Sequence, residues 1–161
     1  FTPQPAITQA IIGVSDVPVF CGVGGGLTNG IRSASMAAYV EHQGAYGVVC
    51  NSKIGLETIH DIKDAVEIPV VYTVISEKTD IQPYLDAGVD IINVSGAART
   101  PEIVAALREQ YPELAIIATG GPTEESILAT IRAGANAITY TPPSSASLFA
   151  KTMAANRSEL E

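Results

Sequence analysis

The segment Ala118-Thr-Gly-Gly-Pro-Thr-Glu-Glu125 joins the end of an apolar run to a helix start through a glycine pair. Glycines let backbone N–H groups approach an anion, and a helix amino end adds favourable partial charge. Phosphate or carboxylate binding is therefore the chemistry this segment could perform, with a tight turn as the plainer alternative. Thr119, Gly120, Gly121 and Thr123 are its candidate contacts, joined by Thr141 from the next loop. Pro142 and Pro143 count against the site, because they remove two N–H donors from that loop.

Other strand-end residues carry weaker signals. Lys53 has no charged neighbour in sequence until Glu57. A lysine in an apolar pocket can lose its proton and form a Schiff base, so Lys53 is the candidate catalytic residue. A solvated loop lysine and an anion contact are the alternatives. Asn51 and Asn93 close two further apolar runs as candidate ligand contacts, and Arg99 could clamp an anion or face water. Thr73 and Ser95 also fall at strand ends. Gly22 to Gly30 is rich in glycine but satisfies neither G-x-G-x-x-G nor a Walker loop, so a mobile site loop and a packing turn stand level. Glu77 and Lys78 read as a solvated pair, and Cys50 as a packed thiol. His42 and His60 fall within predicted helices, and Asp16 and Asp90 at strand starts. No cluster of ligating side chains converges, so neither a metal, a cofactor nor a paired-carboxylate mechanism is expected.

The elements that must position these residues follow from a repeat. Gly44, Gly88 and Gly134 each head a short apolar run, as suits glycine at the left-handed end of a helix. These runs, with Val17–Val23, Ile68–Ile75 and Leu114–Ala118, predict six strands buried on both faces. Between them Ile59, Ile62 and Val66, then Ile103, Ala106 and Leu107, then Ile127, Leu128 and Ile131 form helical stripes that should pack on the sheet. Thr100-Pro101-Glu102 predicts a capped helix start, and Thr79 with Gln82 resembles a capping box. A helix over about 5–12 comes first, and one from about Ser147 comes last. Alternating strands and helices predict an α/β fold. We expect one domain over 1–161, a TIM-barrel-like parallel barrel lacking its first units or completed by other means. An open doubly wound sheet is the alternative.

Composition bounds the function. The chain has 161 residues, 47% hydrophobic and 16% charged, with a formal charge of −8. That field repels phosphate backbones, so direct nucleic-acid binding is not expected. No apolar run is long enough to span a bilayer, and nothing reads as a signal peptide. Two cysteines make no disulfide framework, so the expectation is a reduced, cytoplasmic protein with no membrane partner.

From about Val17 to Thr139 the chain resembles the glycerol-3-phosphate-responsive antiterminator family, small barrels that regulate messenger RNA through a phosphorylated ligand. The resemblance rests on Val17-Pro-Val-Phe20 running on to Gly26-Leu27, on Gly47-Val-Val-Cys-Asn-Ser-Lys53, and on Val89-Asp-Ile-Ile-Asn-Val-Ser-Gly96. The fourth and strongest part is Ile116 to Glu125 with Ala133 to Thr139, which is similar also to keto-deoxy-phosphogluconate aldolase-like barrels. It implies a phosphate near Gly120, Gly121 and Thr141, with Lys53 facing the same pocket. The family's acidic residue at the end of the first of these strands is glycine here, at about Gly24 or Gly25. The aldolases' Schiff-base lysine has no counterpart in the Asn93 strand. The leading expectation is a non-catalytic or regulatory barrel that binds a small phosphorylated metabolite. The alternative is an aldolase-like lyase or isomerase using Lys53. Open sheet edges predict a homo-oligomer.

Overall fold

Each of the six apolar runs becomes a strand, and each helical stripe becomes a helix. The computed structural model describes residues 3–141 and 144–158. In chain order the elements are α1 (Pro5–Val14), β1 (Phe20–Gly24), α2 (Ile31–His42), β2 (Gly47–Cys50), α3 (Leu56–Ala65), β3 (Val70–Val74) and α4 (Gln82–Asp86). There follow β4 (Ile91–Val94), α5 (Thr100–Gln110), β5 (Ala115–Thr119), α6 (Glu124–Arg132), β6 (Ala137–Thr139) and α7 (Ser145–Ser158). Gly44, Gly88 and Gly134 carry φ of 95°, 99° and 106°. That left-handed conformation turns the chain from helix into β2, β4 and β6, and favours glycine because a Cβ would clash.

All six strands are parallel and pair in chain order, β1-β2-β3-β4-β5-β6. Right-handed crossovers between successive neighbours put every connecting helix on one face. An order that never reverses has no switch point, which removes the doubly wound alternative. The chain is thus an α/β barrel-type sheet of six strands, where a closed barrel of this kind has eight. Cys50, Tyr72, Ile92 and Ile116 align across β2 to β5 and are buried. The alternate positions Val49, Thr73, Asn93 and Thr119 face the helix-free side, as strand pleating requires.

Several local details differ from the predictions. Strand β1 starts at Phe20 rather than Val17, because Pro18 has no N–H for the ladder. In α5 the buried face is Ile103, Val104 and Leu107, with Ala106 exposed. Leu128 and Ile131 of α6 are exposed, because α6 flanks the edge strand β6. Thr100 does not cap α5; its hydroxyl accepts the Gly96 N–H at 3.0 Å and draws in the loop before the helix. The Thr79–Gln82 box does not form either. Asp80 Oδ1 accepts the Gln82 N–H, and α4 ends after five residues.

One device recurs at the amino ends of the strands. Asp90 Oδ2 accepts the Val70 N–H at 2.9 Å and lies 2.8 Å from Lys63 Nζ. Two strand–helix units on, Asn136 Oδ1 accepts the Ile116 N–H at 2.9 Å and an Arg108 N–H at 2.8 Å. Both tie a helix's last turn to a strand's first free donor. Among the described residues no helix is long and apolar enough to cross a membrane.

Candidate functional site

Ligands collect at the carboxyl ends of the strands in this architecture, and the structure forms two clefts there. The first is built around the glycine pair after β5. Gly120 is buried and donates its N–H to Thr139 O at 3.0 Å; a Cβ there would lie 2.6 Å from Ile138 Cγ2. Gly121 has φ 78°, and its Cβ would lie 2.6 Å from Ser126 Oγ. Packing and backbone together therefore require glycine at both positions. Thr123 caps α6: its hydroxyl accepts the Ser126 N–H at 3.2 Å, and Ser126 Oγ accepts the Thr123 N–H at 3.1 Å. The N–H groups of Gly121, Glu124 and Glu125 have no acceptor among the described residues. Of the three, Gly121 lines a cleft of about 500 Å³ together with Thr119, Pro122, Ile127, Tyr140 and Thr141. The exposed carboxylates of Glu124 and Glu125, in the helix's first turn, oppose an anion there. Pro142 and Pro143, which bear on the same loop, lie outside the described residues.

The second cleft, about 480 Å³, lies on the helix-free face between β1 and β4. Asn51, Thr73, Asn93 and Ser95 give it polar atoms; Val49, Ile75, Gly22 and Gly24 give it an apolar floor, and Pro3 its edge. Asn93 Nδ2 donates to Thr73 Oγ1 at 3.2 Å, and Asn51 Oδ1 accepts the Ser52 N–H at 2.7 Å. Among the described residues no charged side chain lines it. The register that pairs Asn93 with Ile117 brings Ser95 of this cleft and Thr119 of the first to adjacent strand ends.

Other candidates stand apart. Lys53 is exposed and lines neither cleft, so the apolar pocket that a Schiff-base lysine needs does not surround it. Its loop is nevertheless firmly held. Tyr72 and Tyr84 stack with ring centroids 3.9 Å apart, and their hydroxyls donate to Ser52 O and Ile54 O. Burial, followed by the neighbouring Tyr84, pushes the Tyr72 phenol well above its ordinary value. Arg99 lies 2.7 Å from Glu77 and 3.3 Å from Glu102. Glu77 therefore pairs with Arg99 rather than with Lys78, and the Arg99 hydrogen bond lowers its carboxyl below the ordinary range. Burial pushes the Cys50 thiol up to about 12, which makes it a packed group. His42 and His60 are exposed on helices. Among the described residues no group of three His, Cys, Asp or Glu could hold a metal.

Sequence reasoning therefore singled out Asn51 and Asn93 in one cleft, and Thr119, Gly121 and Thr141 in the other. It placed Thr73 and Ser95 at strand ends without naming them as ligand contacts. Their signal was alternation: each sits one residue from a buried valine, Val74 or Val94, and so faces the other way. Tyr140 had no such signal, since its place depends on how β6 pairs with β5.

No family model matches the chain. It is 32% identical over 109 residues to a Shouchella clausii protein named as an N-acetylmannosamine-6-phosphate 2-epimerase, covering 57% of this chain and 47% of that one. It is 36% identical over 102 residues to inosine-5'-monophosphate dehydrogenase of Halalkalibacterium halodurans, covering 52% of this chain and 21% of that one. The chain thus spans less than half the length of either relative. Among solved structures, a Burkholderia cenocepacia protein named as a phosphonomutase superposes over 98% of this chain and 75% of its own, with TM-score 0.70 and 18% identity. A phosphonopyruvate hydrolase, also solved with oxalate and Mg²⁺, superposes over 95% of this chain and 63% of its own, with TM-score 0.67 and 17% identity. These likenesses show the fold.

Proposed function

We propose that this chain supplies the phosphate-holding part of an enzyme of the lyase or isomerase kind, acting on a small phosphorylated substrate. The observation that carries the reading is the amino end of α6, where Gly121 lines a cleft and the N–H groups of Gly121, Glu124 and Glu125 have no acceptor among the described residues. Backbone donors at a helix amino end suit a phosphate monoester. Both curated relatives carry a phosphate monoester in their names although they perform different reactions. Phosphate recognition is what the two have in common.

A binding-only role, regulatory and responsive to glycerol 3-phosphate, is the second reading. It is favoured by the cleft at Asn93, which among the described residues is lined by no Asp, Glu, His, Lys or Cys.

A thermal-shift panel of inorganic phosphate, glycerol 3-phosphate, hexose phosphates and their unphosphorylated counterparts tests the proposal. Ligand at a hundred times its Kd adds about 2.7 kcal/mol of stability, which raises Tm by roughly 5–10 °C for a chain of this size. Glu124→Gln with Glu125→Gln should strengthen the effect, because the helix end then carries no competing negative charge. A panel that moves Tm with no phosphorylated compound overturns the site. Lys53→Ala then separates the readings: lost turnover with retained binding supports the enzyme, and unchanged behaviour in both assays removes Lys53 from catalysis.

A further inference from the structure

We infer that the cleft at Asn51, Thr73, Asn93 and Ser95 takes the neutral, hydroxyl-bearing part of a ligand, a polyol or sugar, rather than a carboxylate or a metal-chelated acid. The inference depends on the phosphate reading only for the far end of that ligand.

Hydrogen-bond inventory is the ground for it. Asn51 Oδ1 is taken by the Ser52 N–H and hydroxyl, which leaves the two N–H donors of its amide. Asn93 gives one amide N–H to Thr73 Oγ1 and keeps its carbonyl oxygen as an acceptor. The Thr73 proton stays free to donate, and the Ser95 hydroxyl has no partner among the described residues. Donors and acceptors are therefore interspersed along one face. A ligand hydroxyl both donates and accepts, and so matches such a row; a carboxylate only accepts, and meets the Asn93 carbonyl as a repulsion.

Among the described residues no cationic side chain lines the cleft to offset that repulsion. Arg99 is engaged by Glu77 and Glu102, and Lys53 lies outside the cleft. The overall charge of −8 adds to the cost of a second anionic group. A magnesium-bound acid fits no better. Mg²⁺ is ordinarily held through one or two carboxylates, and this lining offers only amides and hydroxyls. The chain shares its fold with the hydrolase solved with oxalate and Mg²⁺, yet its donor set does not suit that cargo. Val49 and Ile75 complete the match, since apolar walls with a few placed polar groups suit the C–H faces of a sugar.

Isothermal titration with a hexose 6-phosphate, the free hexose, phosphoenolpyruvate with and without Mg²⁺, and inorganic phosphate tests this. The hexose phosphate should bind at least about tenfold tighter than phosphoenolpyruvate, with no rescue by Mg²⁺. Asn93→Ala and Thr73→Val should each weaken it by roughly three- to tenfold, the effect of losing a neutral hydrogen bond. Inorganic phosphate affinity should not change. Ser95→Ala, at an exposed position, gives the same readout should the other variants fail to fold. A free hexose whose binding falls with these substitutions, while inorganic phosphate is silent, supports the cleft and overturns the phosphate site. Phosphoenolpyruvate binding as tightly as the sugar, or tightened by Mg²⁺, overturns the inference and leaves the phosphate site standing. Failure of both sugar forms to bind overturns it as well.

Discussion

Burial sets the chemistry of Cys50 more strongly than its position beside a candidate site. The thiol is fully enclosed, and desolvation moves it from an ordinary 9.0 to about 12. A thiolate is the reactive form, so Cys50 should be inert to Ellman's reagent at pH 8 in the folded chain and react after denaturation. Fast labelling of native protein at Cys50 would count against the enclosed thiol. The same shift makes a pH prediction. Below pH 9 the thiol is protonated folded or unfolded and costs nothing; between pH 9 and about 12 only the unfolded chain can ionise it. Its contribution to stability is therefore lost on the alkaline side. Urea titrations should show the midpoint falling above pH 9, and Cys50→Ser, whose hydroxyl does not ionise there, should flatten that fall.

At the scale of elements, the recurring strand-start clamp explains why two chemically different side chains serve one purpose. Asp90→Ala strips the part-buried Val70 N–H of its acceptor, at about 1–3 kcal/mol. The half-exposed pairing with Lys63 adds at most about 1 kcal/mol. Asp90→Asn keeps the acceptor, as Asn136 does in its own unit, and should cost no more than that ion pair. Calorimetry should then show Asp90→Ala melting several degrees lower and Asp90→Asn close to the parent. Equal losses in both variants would make the charge, and not the cap, the stabilising element. The Tyr72–Tyr84 stack holds the loop behind β2 in the same manner, by hydroxyl bonds to its carbonyls.

For the whole molecule, the six-strand sheet leaves β1 and β6 as edges, and apolar side chains stand exposed on α1, which packs on α2, and beside β6. Ile7, Ile11 and Val14, on one side of α1, are 57%, 51% and 87% exposed; Leu128, Ile131 and Tyr140 stand exposed at the other end. Parallel edge strands with unpaired backbone groups invite association. Light scattering should therefore report a mass above 16.7 kDa that rises with concentration. A well-folded monomer throughout would remove the expectation of self-association.

How far these features could be read in advance depended on the range of the forces behind them. Alternation of short apolar runs with helical stripes, and glycines at three helix ends, are local consequences of residue type, and they determined the six strand–helix units and the α/β class. The glycine pair at 120–121 was legible for the same reason, because turn and helix start lie within a few residues. Where Leu128 and Ile131 end up was not local: their stripe reads like that of α5, and only their place beside an edge strand exposes them. The neutral cleft was not local either. Thr73 and Asn93 lie 20 residues apart and meet at 3.2 Å only through the pairing of β3 with β4. Composition and period determined which elements exist; strand register, a property of long-range pairing, decided which side chains share a site.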